Sequence, residues 1–164
     1  ASMGLLAKSV ASSIYDRKSL FVLGNDSMFA IACEGCLKMK ELSYIHAEAY
    51  LMSSLKHGPL ALIEQGTPVI ILIDSGDTER SETVACEVRA RGAFAVGVAA
   101  TKYSSQGVSP ECFDILVDCA CENGEVSSLI HISIFLQLLS LYTSDMLKRN
   151  VDKPRNLAKV VTVM

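Results

Sequence analysis

Glu34, Lys38 and Glu41 are the polar side chains whose spacing is most informative. They lie four and three residues apart in a predicted helix, Ser27–Ile45, so they share one helical face. The rest of this helix is mainly apolar, which argues against a freely solvated face, although an exposed salt-bridged stripe is the alternative. Two carboxylates and an ammonium group in a partly desolvated cleft are suited to proton transfer. The spacing therefore predicts acid–base chemistry on this helix.

A second candidate is His57, which a glycine and a proline follow directly. Histidine titrates near neutral pH and can pass a proton in either direction. The surrounding stretch, Glu48–Glu64, has no clear period, so we expect a functional loop or a broken helix there. A purely structural role remains the alternative for a lone histidine. His46 and His131 are weaker candidates because both lie in apolar stretches that we predict to be helical.

Strands and helices that could position these groups alternate along the chain. Four aliphatic runs predict strands covered on both faces, namely Leu20–Gly24, Pro68–Asp74, Ala93–Ala99 and Phe113–Asp118. Helical patterns occupy Leu5–Asp16, Ser27–Ile45, Thr78–Arg91 and Val126–Lys148, the last apolar enough to be a central packing helix. The pattern predicts an α/β fold of three layers, flavodoxin-like, with a mainly parallel sheet flanked by helices. The 164 residues suit one domain, 1–164, in which 152–164 form a C-terminal tail.

Two segments follow predicted strands, where ligands bind in open α/β sheets. Asn25-Asp26-Ser27 follows the first strand, and Asp74–Ser81 follows the second. Their acidic side chains would repel a phosphate at the helix N-termini. We therefore predict helix caps in both places rather than anion sites.

Composition excludes several classes of function. A net charge of −3 provides no basic field for nucleic acid, and the longest apolar runs, such as Pro68–Ile73, are too short to span a bilayer. No signal peptide precedes the domain, so a cytoplasmic location is expected. Cys33 and Cys36 have CxxC spacing but no second ligand pair, which favours buried thiols over a metal site.

Two stretches carry a specific resemblance. The chain resembles the second sugar-isomerase (SIS) domain of the glutamine–fructose-6-phosphate amidotransferase family in ACEGCLKMKE (32–41), SYIHAEA (43–49) and LKHGPLAL (55–62), and in the tail PRNLAK (154–159) and VTV (161–163). Ser53-Ser54 and Met164 depart from the pattern, which usually has Gly-Glu and Glu there. The family makes glucosamine 6-phosphate, using a glutaminase domain that releases ammonia and two SIS domains that aminate and isomerise the sugar.

The resemblance implies roles for the charged face of the helix. Glu41 would move a proton between C1 and C2 of open-chain fructose 6-phosphate. Lys38 would assist that transfer, and Glu34 would support the network of charges. No metal or organic cofactor is implied.

The resemblance also assigns residues outside this helix. Lys159 would form a Schiff base with the ketose carbonyl, and Ala158 would contact the sugar through its backbone. His57 would open the hexose ring in the site of a neighbouring subunit, which implies a homodimer. The glutaminase and first SIS domains would be partners, so we expect this chain alone not to form glucosamine 6-phosphate from glutamine. The alternative is a SIS module that binds a sugar phosphate or nucleotide sugar without catalysis.

Overall fold

In the part of the chain that the structure describes, five parallel strands form a sheet at the centre of the fold. The computed structural model describes residues 2–74, 76–99, 107–119 and 125–157. The strands are β1 (Ser19–Gly24), β2 (His46–Leu51), β3 (Pro68–Ile73), β4 (Phe94–Ala99) and β5 (Ile115–Asp118). Their order is β2-β1-β3-β4-β5. The order reverses between β1 and β3, as in doubly wound folds.

Helices cover both faces of the sheet. Those given by the described residues are α1 (Met3–Ile14), α2 (Asp26–Ser43), α3 (Thr78–Arg89) and α4 (Glu125–Met146). Alternate strand residues such as Val22 and Ile70 pack with α1, α2 and α4, whereas Leu23 and Ile71 pack with α3. This alternation follows from the period of two in a strand. The predicted three-layer α/β fold is confirmed. Each predicted strand and helix begins and ends within two residues of its expected position.

Strand β2 is absent from the sequence-based prediction, which was wrong in this region. The predicted helix Ser27–Ile45 ends at Ser43, because Tyr44 adopts a left-handed conformation with φ 65°. Within the part of the chain that the structure describes, residues His46–Leu51 then pair with β1 alone, at the edge of the sheet. Their partly exposed, polar composition hides the apolar pattern of a strand. His46 therefore lies on a strand and not on a helix.

The stretch after β2 is irregular, in line with part of the expectation. Two short 3-10 helices, Met52–His57 and Pro59–Leu62, follow β2. Gly58 between them has φ 141°, a conformation that favours glycine. The expected loop or broken helix thus begins at Met52 and not at Glu48.

Neither predicted side-chain cap is present. Asn25 is the N-cap of α2 and Asp77 that of α3, and neither side chain makes a capping hydrogen bond to its own helix. Instead Asn25 Nδ2 donates to Asp77 Oδ2 at 3.0 Å, and the Met52 N–H donates to Asn25 Oδ1 at 3.3 Å. This long-range bridge joins the carboxyl ends of β1 and β2 to the segment after β3.

Helix α4 is the central packing helix that its apolar pattern predicts. Its side chains Ile132, Phe135 and Leu139 are fully buried with α1 and α2. Within the described residues, its segment Val126–Met146 is also the one stretch long and apolar enough to cross a membrane, by length and composition alone. The helix therefore departs from the expectation that every apolar run is too short, although its buried face has partners within the domain.

Close packing of α2 on α4 predicts that Gly35→Ala is destabilising. A Cβ at Gly35 would lie 2.6 Å from Leu136 Cδ1 and 3.2 Å from its Cβ. We expect overpacking to exceed the gain in helix propensity and to lower the free energy of unfolding by about 0.5–2 kcal/mol. Urea denaturation measures this change. The control Gly76→Ala meets no atom within 4 Å; an equal effect in both variants would contradict the packing argument.

Candidate active site

The three charged residues of α2 form one ion-paired group. The Lys38 ammonium donates to Glu41 Oε2 at 2.8 Å and lies 3.6 Å from Glu34 Oε1. The side chains of Lys38 and Glu41 are each 30% exposed, and that of Glu34 is 45% exposed. The group is therefore only partly desolvated in this chain. Its geometry matches the predicted face, and it also matches the salt-bridged stripe that was the alternative.

The charge of Lys38 is fixed by its neighbours. The hydrogen bond to Glu41 raises the pKa of Lys38 above its ordinary value, although partial burial opposes this shift. Lys38 consequently remains an ammonium at neutral pH. It can hold and orient the Glu41 carboxylate, but it cannot itself accept a proton.

Glu41 lines a groove of about 420 Å³ at the last turn of α2. The last turn of α2 and the start of β2 line one part of this groove, and the segment after α4 lines another part. The lining residues besides Glu41 are Lys40, Tyr44, Ile45, His46, Arg155, Asn156 and Leu157. Because α2 runs antiparallel to the strands, its end lies at the amino end of β2. The groove therefore lies at the amino ends of the strands. The hydrogen bonds of Asn25 lie at the opposite, carboxyl ends, where the fold alone would place a ligand.

Tyr44 connects this groove to the C-terminal segment, and sequence reasoning missed it. The Arg155 N–H donates to Tyr44 Oη at 2.9 Å. The guanidinium groups of Arg155 and Arg149 lie 4.3 Å and 5.2 Å from the centre of the Tyr44 ring. Both distances are within the range of cation–π attraction. Tyr44 thus attaches the described end of the chain beside Glu41.

The predicted site residues are only partly brought together. His57 is exposed at the end of the 3-10 helix after β2, beyond the carboxyl end of that strand, and does not line the groove with Glu41. Ala158 and Lys159 lie outside the described residues. The described chain ends at Leu157, which lines the groove. The structure therefore groups Glu34, Lys38 and Glu41, and it separates His57 from them.

The cysteines of α2 differ from each other. Cys36 is buried, and desolvation raises the pKa of its thiol to about 12. Cys33 is exposed, so the prediction of a buried thiol was wrong at this position. The buried face of α2 therefore includes Cys36 but not Cys33. Among the residues that the structure describes, no group of three His, Cys, Asp or Glu side chains is arranged to hold a metal ion.

Comparison with known proteins assigns the family. Residues 13–141, more than three quarters of the chain, match the model of the SIS domain. The chain belongs to the SIS domain family. The matched residues include all of α2 and most of α4, and the match ends before the segment that Tyr44 contacts.

Several relatives of this SIS domain carry the same name. It is 40% identical over 157 residues to the isomerizing glutamine–fructose-6-phosphate aminotransferase of Methanosarcina acetivorans, and 41% identical over 159 residues to that of Clostridium tetani. The alignments include 95% and 96% of this chain but 25% and 26% of those proteins. The SIS domain thus spans about a quarter of the length of the curated relatives it matches.

A solved structure agrees with these relatives. The C-terminal domain of glucosamine-fructose-6-phosphate aminotransferase from Francisella tularensis superimposes with a TM-score of 0.81 and 29% identity. The match covers 92% of this SIS domain and 42% of that chain. The domain therefore resembles a part of these aminotransferases in both sequence and fold.

Proposed function

We propose that this SIS domain is the isomerase part of a glutamine–fructose-6-phosphate aminotransferase, converting the fructose 6-phosphate skeleton to glucosamine 6-phosphate in amino-sugar synthesis, in the cytoplasm. The observation that carries the proposal is the Lys38–Glu41 pair, whose carboxylate lines the groove that also receives Arg155–Leu157. The named relatives support the choice of substrate.

The proposed reaction begins at Lys159. Its neutral amine adds to the C2 carbonyl of the open-chain ketose and, with loss of water, forms a Schiff base. Lys159 follows Leu157 by two positions in the sequence, and Leu157 is a described residue that lines the groove, which supports this role. Ala158, between them, contacts the sugar through its backbone.

Glu41 then acts as the proton carrier. Ammonia from the glutaminase domain of the parent enzyme displaces the Lys159 amine from the Schiff base and leaves an imine at C2. This imine acidifies the C1–H bond, so a carboxylate of modest basicity can take that proton and return it to C2, which gives the C2 amine and the C1 aldehyde. Lys38 donates to Glu41 at 2.8 Å and fixes its orientation, while Glu34 balances the lysine charge from 3.6 Å. One carboxylate serving both carbons needs this fixed position.

His57 has a role in a different site of the assembly. It lies beyond the carboxyl end of β2, whereas the Glu41 groove lies at the amino end. We therefore propose that His57 opens the sugar ring in the site of a second subunit, within a homodimer. Its exposure and the backbone turn at Gly58 are compatible with presentation to a partner.

A borohydride trap tests the proposed function. The 164-residue chain is incubated with millimolar fructose 6-phosphate and cyanoborohydride, then digested and mapped by mass spectrometry. We expect one modified lysine, Lys159, and loss of the adduct in Lys159→Ala but not in the control Lys153→Ala. Adducts spread over the exposed lysines would contradict the proposal. Binding of the sugar phosphate that Lys159→Ala leaves unchanged, without an adduct, would favour the non-catalytic module.

An apolar stripe on α4 supports a partner domain. Val126, Ile130, Ile134 and Leu141 follow helical spacing on the face of α4 directed away from its packed side, and the first two are 70% and 53% exposed. An apolar helical face of this length is usually covered. Since this chain spans about a quarter of the length of its relatives, we propose that the first SIS domain of the parent enzyme covers this face of α4.

Copurification tests this docking face. We expect a separately expressed first SIS domain from the Clostridium tetani relative to copurify with the wild-type chain. The double substitution Ile130→Glu and Ile134→Glu should reduce recovery at least tenfold, because it places two charges in an apolar interface. The control is Leu62→Glu, at a leucine in the 3-10 helix Pro59–Leu62 that is 63% exposed, more than either isoleucine. Equal loss in the control would contradict the assignment of the face.

A further inference from the structure

Two thiols lie in contact on the face of the sheet that α3 covers. Cys86 is on α3, and Cys112 ends the 3-10 helix Pro110–Cys112, shortly before β5. Their Sγ atoms are 3.2 Å apart, although 26 positions separate them in the chain. Cys86 is exposed and Cys112 is partly exposed, so reagents in solution can reach the pair.

Contacts on either side of the pair hold the two segments together. Glu82, one turn before Cys86, accepts a hydrogen bond from the Ser109 N–H. Arg89, about one turn after Cys86, donates to the Glu111 carbonyl and lies 3.3 Å from Asp114 Oδ1. Asp114 in turn accepts the Ala95 N–H at 2.8 Å, which connects the group to β4. The sulfur atoms are therefore kept adjacent by a framework of polar contacts.

We propose that Cys86 and Cys112 are a thiol-oxidation site that closes reversibly to an intramolecular disulfide with low-molecular-weight disulfides such as oxidised glutathione. The thiolate of one cysteine attacks a glutathione sulfur, and reduced glutathione leaves. The second cysteine then attacks the protein sulfur of the mixed disulfide and releases a second glutathione. Two protein thiols are oxidised and one glutathione disulfide is reduced to two thiols, so the electrons balance.

The order of attack follows from the surroundings. The hydrogen bond with Cys86 raises the pKa of Cys112 to about 11, so Cys112 stays protonated while the Cys86 thiol is free. Once Cys86 is in the mixed disulfide that cause is removed, and Cys112 gives its proton to solvent as it attacks. The more exposed Cys86 attacks the oxidant first. Closing the bond needs the sulfur atoms to approach from 3.2 Å to about 2.05 Å, which side-chain rotation can supply.

The disulfide would tie α3 to the start of the edge strand β5. Among the described strands β5 pairs with β4 alone, so a covalent link to α3 limits its separation from the sheet. Cross-linking across 26 positions also restricts the unfolded chain. An exposed disulfide is readily reduced again. This site is distant in the fold from the Glu41 groove and does not depend on the proposed function.

Oxidation of the reduced 164-residue chain tests the site. The chain is equilibrated with mixtures of reduced and oxidised glutathione, quenched by alkylation and digested for mass spectrometry. We expect a Cys86–Cys112 linked peptide whose yield follows the glutathione ratio and reverses with dithiothreitol. The melting temperature of the oxidised chain should rise by about 5–10 °C.

Three serine variants separate the outcomes. Cys86→Ser and Cys112→Ser should each abolish the linked peptide and the rise in melting temperature, whereas Cys33→Ser, at another exposed cysteine, should change neither. Stable glutathionylation of Cys86 without a link to Cys112 would overturn the proposal. Links between chains, or a link that persists in Cys112→Ser through another cysteine, would overturn it as well.

Discussion

Replacing Glu41 with glutamine is expected to slow solvent deuterium incorporation at C1 of fructose 6-phosphate by about 10²- to 10⁴-fold, the range of a lost general base. The amide keeps the size and the hydrogen-bond acceptor that faces Lys38, but it cannot take a proton. Incubation of the 164-residue chain with the sugar phosphate in D₂O, followed by NMR at C1, measures the rate. The Schiff base at Lys159 should still form, because its chemistry precedes the step of Glu41.

Glu34→Gln is the matched control for this prediction. Glu34 also faces Lys38, at 3.6 Å instead of 2.8 Å, and is the more exposed of the two carboxylates. We expect its loss to slow exchange by less than about tenfold, since exposed ion pairs are worth little. Equal effects of Glu34→Gln and Glu41→Gln would show that the ion-paired group is a structural stripe. An unchanged rate in Glu41→Gln would remove Glu41 from the proposed reaction.

Local patterns explain what the sequence could predict. The face shared by Glu34, Lys38 and Glu41 depends only on helical spacing, and the ion pairs confirm it. The buried strands β1, β3, β4 and β5 are continuous aliphatic runs, a signal that needs no knowledge of neighbours. Strand β2 lacks that signal because it lies at the edge of the sheet, where half-exposed polar residues are tolerated.

Long-range contacts account for what it could not predict. The bond between Tyr44 and Arg155 joins positions 111 residues apart, and no spacing rule connects them. Asn25 looks like part of a helix cap, yet its side chain bonds to Met52 and Asp77, which the fold alone brings near. The position of the groove at the amino end of β2 likewise depends on where α2 ends. The left-handed conformation of Tyr44 marks the turn that ends α2, but this conformation is known only from the structure.

Tyr44→Ala is expected to release the C-terminal segment from the groove. The substitution removes the acceptor for the Arg155 N–H and the ring that faces Arg149 and Arg155. One hydrogen bond and two partly exposed cation–π contacts together correspond to about a 10- to 100-fold change in an opening equilibrium. Hydrogen–deuterium exchange of the Arg155 amide, followed by NMR, should therefore accelerate by about that factor.

The same variant should affect chemistry at Lys159. With the segment released, the lysine spends less time beside Glu41, so we expect trapping of fructose 6-phosphate on Lys159 to fall about tenfold or more at equal sugar concentration. Tyr44→Phe keeps the ring and loses only the acceptor, so its effects on exchange and trapping should be intermediate. This gradation distinguishes positioning from a general loss of stability, which a melting curve reports separately.

Tyr50→Phe provides the control at a different tyrosine. The Tyr50 hydroxyl donates to Glu48 at 2.6 Å on the edge strand β2, and its ring lies 6.0 Å from that of Phe21. We expect neither Arg155 exchange nor trapping to change in this variant. If Tyr44→Ala accelerated exchange but left trapping intact, the segment would be attached by Tyr44 without positioning Lys159. If exchange were also unchanged, the contacts of Tyr44 would contribute nothing, and the groove would have to hold the segment through Asn156 and Leu157 instead.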